Sequence, residues 1–166
     1  MDTKRVLVVY YSRTGFTKKA VLDVAKYFNC DIESLIDKTS RKGFWGYIKA
    51  AFCAVTKKDT NLEDIKYNPK NYEIVILATP VWVSSLSCAL KTYIKEYGKE
   101  IKRAALLTTS GSSGNRVQTM QAEELLNKPL VASEFVCQRE FRDETWPEKT
   151  KAFSECIKDK LSNLYL

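Results

Sequence analysis

The sequence predicts one α/β domain: a parallel five-stranded sheet with helices on both faces. Three observations carry this. The apolar runs Val6–Tyr10 and Ile74–Ala78 are continuous rather than alternating, as in strands buried on both faces. Apolar stripes at helical spacing lie between such runs. The two kinds of segment alternate along the chain, which is the pattern of a parallel sheet with crossover helices. The 166 residues suit a single domain over 1–166, and 45% apolar content is enough for a sizeable core.

The elements follow in order. Val6-Leu7-Val8-Val9-Tyr10 is the first strand. After a polar loop, Phe16, Ala20, Val21, Val24, Ala25 and Phe28 mark one helix face, with Lys18, Lys19, Asp23 and Lys26 opposite. Ile32–Ile36 is a shorter, weaker strand. Phe44, Ile48, Ala51, Phe52 and Val55 predict an amphipathic helix over 43–57, and Asn68-Pro69 marks a turn. Ile74–Ala78 is the third strand, and Leu86, Leu90, Tyr93, Ile94 and Tyr97 form the next stripe. Ala104–Thr109 is the fourth strand, 115–127 a helix and Leu130–Val136 the fifth strand. Thr145-Trp146-Pro147-Glu148 opens the last helix, with Thr as N-cap and Glu placed for a capping box. Its stripe is Phe153, Ile157, Leu161 and Leu164.

Composition removes several function classes. There is no histidine, so a histidine general base, a zinc–histidine site and a Ser-His-Asp triad are excluded. No catalytic or metal-ligating set is predicted. The five cysteines (Cys30, Cys53, Cys88, Cys137, Cys156) are widely spaced with no Cys-x-x-Cys, which reads as reduced thiols in a cytoplasmic protein. No apolar run approaches the roughly 20 residues of a membrane span, and the N-terminus has no secretory pattern. With 27 basic and 20 acidic residues the chain carries +7, but no nucleic-acid motif accompanies that charge, which reads as a solvated face.

In such sheets ligands bind beyond the carboxyl ends of the strands, where the strand order switches. The loops after strands one, three and four are therefore the informative ones. The first holds Ser12-Arg13-Thr14-Gly15-Phe16-Thr17: three hydroxyls and a glycine where a helix begins. That chemistry suits a phosphate, since a helix N-terminus offers unpaired N–H groups and positive charge. The second is Thr79-Pro80-Val81-Trp82-Val83-Ser84-Ser85. Pro80 restrains a turn there, and Trp82 either stacks on a planar ligand or packs into the core. The third, Thr108-Thr109-Ser110-Gly111-Ser112-Ser113-Gly114-Asn115, lets the backbone approach a ligand closely. Walker and Rossmann glycine patterns are absent. No cysteine is followed by an arginine at phosphatase spacing, and no carboxylates end strands one and three as in a receiver domain.

These loops, in this order, resemble the flavodoxin family. Ser12–Thr17 is similar to its Ser/Thr-x-Thr-Gly-x-Thr phosphate loop, Thr79–Trp82 to its first flavin-ring loop, and Thr109–Gly114 to its second. The likeness spans essentially the whole chain in element order and matches the short-chain subgroup. It implies a three-layer fold with strand order 2-1-3-4-5, non-covalent FMN, and electron transfer between a reductase and an acceptor. The alternative on the same fold is an NAD(P)H-dependent FMN oxidoreductase acting on quinones or similar acceptors. Carried over, Ser12, Arg13, Thr14, Gly15, Phe16 and Thr17 hold the phosphate. Thr79, Pro80, Val81 and Trp82 line the ring, with Trp82 as the stacking face, and Ser110, Gly111, Ser112, Ser113 and Gly114 border its other edge.

Two features depart from the family. Its members are typically acidic, whereas this chain is +7, which favours acidic redox partners or anionic acceptors and eases repulsion of reduced flavin. Many members place a glycine in the first ring loop so that a peptide can flip. Residues 80–85 contain none, and positive φ without glycine costs about 1–2 kcal/mol, so the half-reduced flavin is expected to be stabilised less. The basic aromatic segment Arg41–Gly46, within 37–58, either overhangs the flavin site or packs Phe44 and Trp45 inward.

Overall fold

The computed structural model describes residues 5–38, 60–111, 114 and 116–163. The helix expected over 43–57, with Phe44 and Trp45, lies outside those residues, as do Cys53, Ser112 and Ser113.

Among the described residues six strands form one sheet: β1 (Val6–Tyr10), β2 (Cys30–Ser34), β3 (Ile74–Trp82), β4 (Ser85–Leu86), β5 (Ala104–Ser110) and β6 (Ser133–Cys137). The order is β2-β1-β3-β5-β6, all parallel, with β4 attached antiparallel to β3. With the two-residue β4 set aside, this is the expected order. The helices are α1 (Phe16–Ala25), α2 (Cys88–Tyr97), α3 (Arg116–Leu126), α4 (Gln138–Arg142) and α5 (Trp146–Ser162).

Strand residues alternate between two cores, which is why the central runs are apolar throughout. Val6, Val8, Ile74, Ile76, Ala105 and Leu107 face Val21 and Val24 of α1 and Phe153 and Ile157 of α5. Leu7, Val9, Val75, Leu77 and Leu106 face Leu90, Tyr93 and Ile94 of α2 and Ala122 and Leu126 of α3. A buried polar clamp ties α1 to α5: the Thr150 hydroxyl donates to Asp23 Oδ2 at 2.6 Å, and Asp23 also pairs with Lys26. A charge-assisted bond of this kind is worth about 1.5–3 kcal/mol.

Four local readings change. The second strand sits two residues earlier than expected, at Cys30–Ser34, in register with all of β1. The fifth is Ser133–Cys137 rather than Leu130–Val136. The third runs on through Pro80 to Trp82, so Thr79–Trp82 is strand and not loop. Proline is tolerated there because the β1 ladder ends at Ala78, leaving Pro80 paired with Thr109 of β5 on one side only. Finally, Thr145 makes no side-chain cap on α5. The chain arrives directly from α4, with Thr145 N–H bonded to the Glu140 carbonyl at 3.1 Å, so its backbone is already helical.

Candidate functional site

The carboxyl ends of β1, β3 and β5 deliver three segments to one edge of the sheet. At the first, helix α1 starts on Gly15, whose φ is +93°. That left-handed backbone favours glycine. Gly15 at the N-cap offers no side-chain acceptor and the first turn holds no acidic residue. The amides of Phe16 and Thr17 are therefore left without a capping side chain from Gly15, and the positive end meets no carboxylate of its own first turn. Nothing lies within 4 Å of where a Gly15 Cβ would sit. Ser12 Oγ accepts from the Lys18 amide at 3.2 Å and holds the loop over this turn. Thr14 is exposed. Thr17 is buried, with its Oγ1 2.8 Å from Thr109 Oγ1, which bonds the start of α1 to the end of β5.

The second segment is the β3–β4 hairpin. Val81 pairs with Leu86 and Trp82 with Ser85, leaving Val83 and Ser84 as a two-residue turn with φ of +48° and +57°. Both signs are those of a type I′ turn, which ordinarily selects Asn-Gly. Here a β-branched residue and a serine adopt it, at about 1–2 kcal/mol each. Absence of glycine therefore does not keep this turn out of the left-handed region. Trp82 is half-buried, edge-to-face on Tyr11 with centroids 5.8 Å apart, and packs partly on the α2–α3 core. Thr79 is fully buried and donates to Ser87 Oγ at 2.7 Å, at the start of α2.

These segments enclose a cleft of about 260 Å³. Thr14 and Phe16 come from the first loop, and Pro80, Val81 and Trp82 from β3. Thr109, Ser110 and Gly111 come from the end of β5. Ser12, Arg13, Gly15 and Thr17 flank the first of these walls without lining the cleft, and Gly114 lies beside Gln118. The fourth wall, Gln138 and Phe141 of α4, was not foreseen. Five residues are too few to show an amphipathic stripe. The available signal was a capping box written with cysteine: Cys137 at the N-cap and Glu140 three residues on, whose Oε2 accepts from the Cys137 amide at 2.7 Å.

Glu140 braces that wall. Burial alone would raise its carboxyl, but the Lys149 ammonium at 2.7 Å and the Cys137 amide prevail and hold it below the ordinary glutamate range. A depressed folded-state pKa contributes stability above the unfolded value, about 4.3, and loses it as pH falls through the folded value. Glu140→Gln is therefore expected to lower stability by about 1 kcal/mol at neutral pH, with the gap from the parent closing in acid. Denaturant midpoints of both proteins across pH 7 to 3 check this; a gap constant with pH would assign the effect to packing.

Among the described residues no group of three carboxylates or cysteines stands ready to hold a metal. No helix among them is long and apolar enough to cross a membrane. The described cysteines, Cys30, Cys88, Cys137 and Cys156, form no disulfide with one another.

No protein-family model and no curated protein matches the chain. Solved structures do. A flavoprotein from Lactobacillus acidophilus, solved in complex with FMN, superposes with a TM-score of 0.63 at 18% identity, over 86% of this chain and 98% of that one. A flavodoxin from Streptococcus pneumoniae gives 0.56 at 12% identity, over 93% and 98%. The apo form of an NADH:FMN oxidoreductase gives 0.51 at 16%, over 90% and 88%. With order β2-β1-β3-β5-β6, two helical layers and these likenesses, the chain has the flavodoxin-like fold.

Proposed function

We propose that the cleft binds FMN non-covalently and that the protein carries electrons between a reductase and an acceptor. The observation that carries this is the convergence of three chemically distinct segments on one cleft. They are a helix start on glycine, an aromatic hairpin and a glycine-serine strand end. The residues fit the group. The open N-terminus of α1, with Ser12, Thr14 and the backbone N–H groups of Phe16 and Thr17, suits a phosphate. Pro80, Val81 and Trp82 supply a flat wall for a ring system, and Ser110 and Gly111 an opposing polar edge. Thr17 and Thr79 act from beneath, since their hydroxyls are engaged with Thr109 and Ser87. The flavin, when bound, supplies the redox chemistry; the protein holds it and shapes its surroundings.

The likeness to an NADH:FMN oxidoreductase supports a second reading, direct oxidation of NAD(P)H with a quinone-type acceptor. The net charge of +7 suits acidic partner proteins and the phosphates of a nicotinamide alike. Purified protein is mixed with FMN, freed of excess and examined by visible absorption. Retained oxidised-flavin bands are expected; folded protein that retains none removes the redox assignment. Turnover of NADH or NADPH with a quinone then separates enzyme from carrier.

A further inference from the structure

Helix α3 holds the hairpin that walls the cleft, and it does so with two glutamines that face inward. Gln118 is buried, and its Nε2 donates to the Ser84 carbonyl at 2.9 Å. One turn on, Gln121 Oε1 accepts from the Leu86 amide at 3.1 Å and from Ser85 Oγ at 3.3 Å. Their partners span the Val83–Ser84 turn and the strand that follows it. Both turn residues have positive φ without glycine, and Val83 is 66% exposed, so packing of its own side chain does not keep it there. Strained backbone persists only where its surroundings over-determine it. Trp82, the aromatic of the cleft wall, immediately precedes this turn and pairs with Ser85.

We propose that Gln118 and Gln121 are positioning residues: they pin the strained Val83–Ser84 turn from α3 and thereby set Trp82 for the bound ring. Two further features separate this role from ordinary core packing. Among the described residues, Gln118 Oε1 is buried with no donor. Of the two amide atoms it is therefore the N–H that engages a described partner, the Ser84 carbonyl. Ser84 is exposed, so water can replace Gln118 at its carbonyl. Gln118→Met therefore removes the pin while keeping the length of the side chain and should leave overall stability nearly unchanged, while freeing the turn.

The test is a cycle between pin and turn. Gln118→Met and Gln121→Met are made in the parent and in a V83N/S84G background, whose Asn-Gly turn adopts the same geometry unaided. In ligand-free protein, the Leu86 amide, whose acceptor Gln121 is untouched, is expected to exchange at least about tenfold faster in Q118M, and Q118M to melt within about 2 °C of the parent. The FMN arm rests on the cofactor reading above. Each glutamine variant should weaken FMN binding about tenfold in the parent and less than about twofold with Asn-Gly in place. Equal losses in both backgrounds, or unchanged affinity in a parent that binds FMN, overturn the proposal. A parent that does not bind FMN defeats the cofactor reading instead. Amide exchange then decides alone: faster exchange, suppressed by Asn-Gly, keeps the pin, and unchanged exchange removes it.

Discussion

Gly15→Asp is expected to abolish FMN binding while leaving the fold about as stable as the parent. The charge of an aspartate complements the positive end of α1, whose N-cap Gly15 has no side chain and whose first turn holds no acidic residue. Against this stands the φ of +93°, which costs a side chain about 1–2 kcal/mol but penalises aspartate less than most. The terms nearly cancel, and no atom within 4 Å obstructs the new Cβ.

Binding should respond very differently. A carboxylate about 4 Å from a phosphate charge costs about 4 kcal/mol at an effective dielectric of 20, roughly a thousandfold in affinity. Riboflavin, which has the ring but no phosphate, supplies the control. Its weaker binding should be nearly indifferent to G15D, whereas FMN titrated by quenching of flavin fluorescence should lose most of its affinity. FMN binding within tenfold of the parent would mean that the end of α1 is not where the phosphate lies and that the hydroxyls of this loop serve only to cap the helix.

The sequence reveals this site because the three segments differ from ordinary loops in kind. Hydroxyls and glycine before a helix, an aromatic after a buried strand, and serine-glycine after another are each legible locally. The sheet rule then brings them to one edge. What stayed hidden depends on tertiary partners. Nothing local announces that β3 passes through Pro80, because its tolerance rests on where β1 stops. Val83-Ser84 looks like a poor type I′ turn and forms one because α3 and the β3–β4 pairing hold it. Gln118 and Gln121 are polar residues within the expected 115–127 helix, and nothing local marks them as facing inward. They turn inward because backbone groups of the hairpin need partners. Helix α4 is too short for periodicity to detect, although it supplies a whole wall of the cleft.

That wall sets the second large effect. Phe141 is only 8% exposed, and its ring lies 5.1 Å from Phe16 and 5.3 Å from Trp146, in a stack running from the start of α1 to the start of α5. Phe141→Ala is expected to cost about 3–5 kcal/mol, a large share of the roughly 5–15 kcal/mol available to a domain, and to lower the melting temperature by about 10 °C. Phe141→Leu restores most of the volume and should recover more than half of the loss. Ligand binding adds a second consequence, because the same ring lines the cleft. At temperatures where F141A is fully folded, its FMN affinity should still fall, since Phe16 loses its neighbour where the first loop enters α1. A loss below about 1 kcal/mol in F141A would mean that α4 is marginal to the fold and that the cleft has only three structural walls. A full stability loss with unchanged FMN affinity would instead place the ring away from α4 and confine it to the Trp82 and Ser110–Gly111 sides.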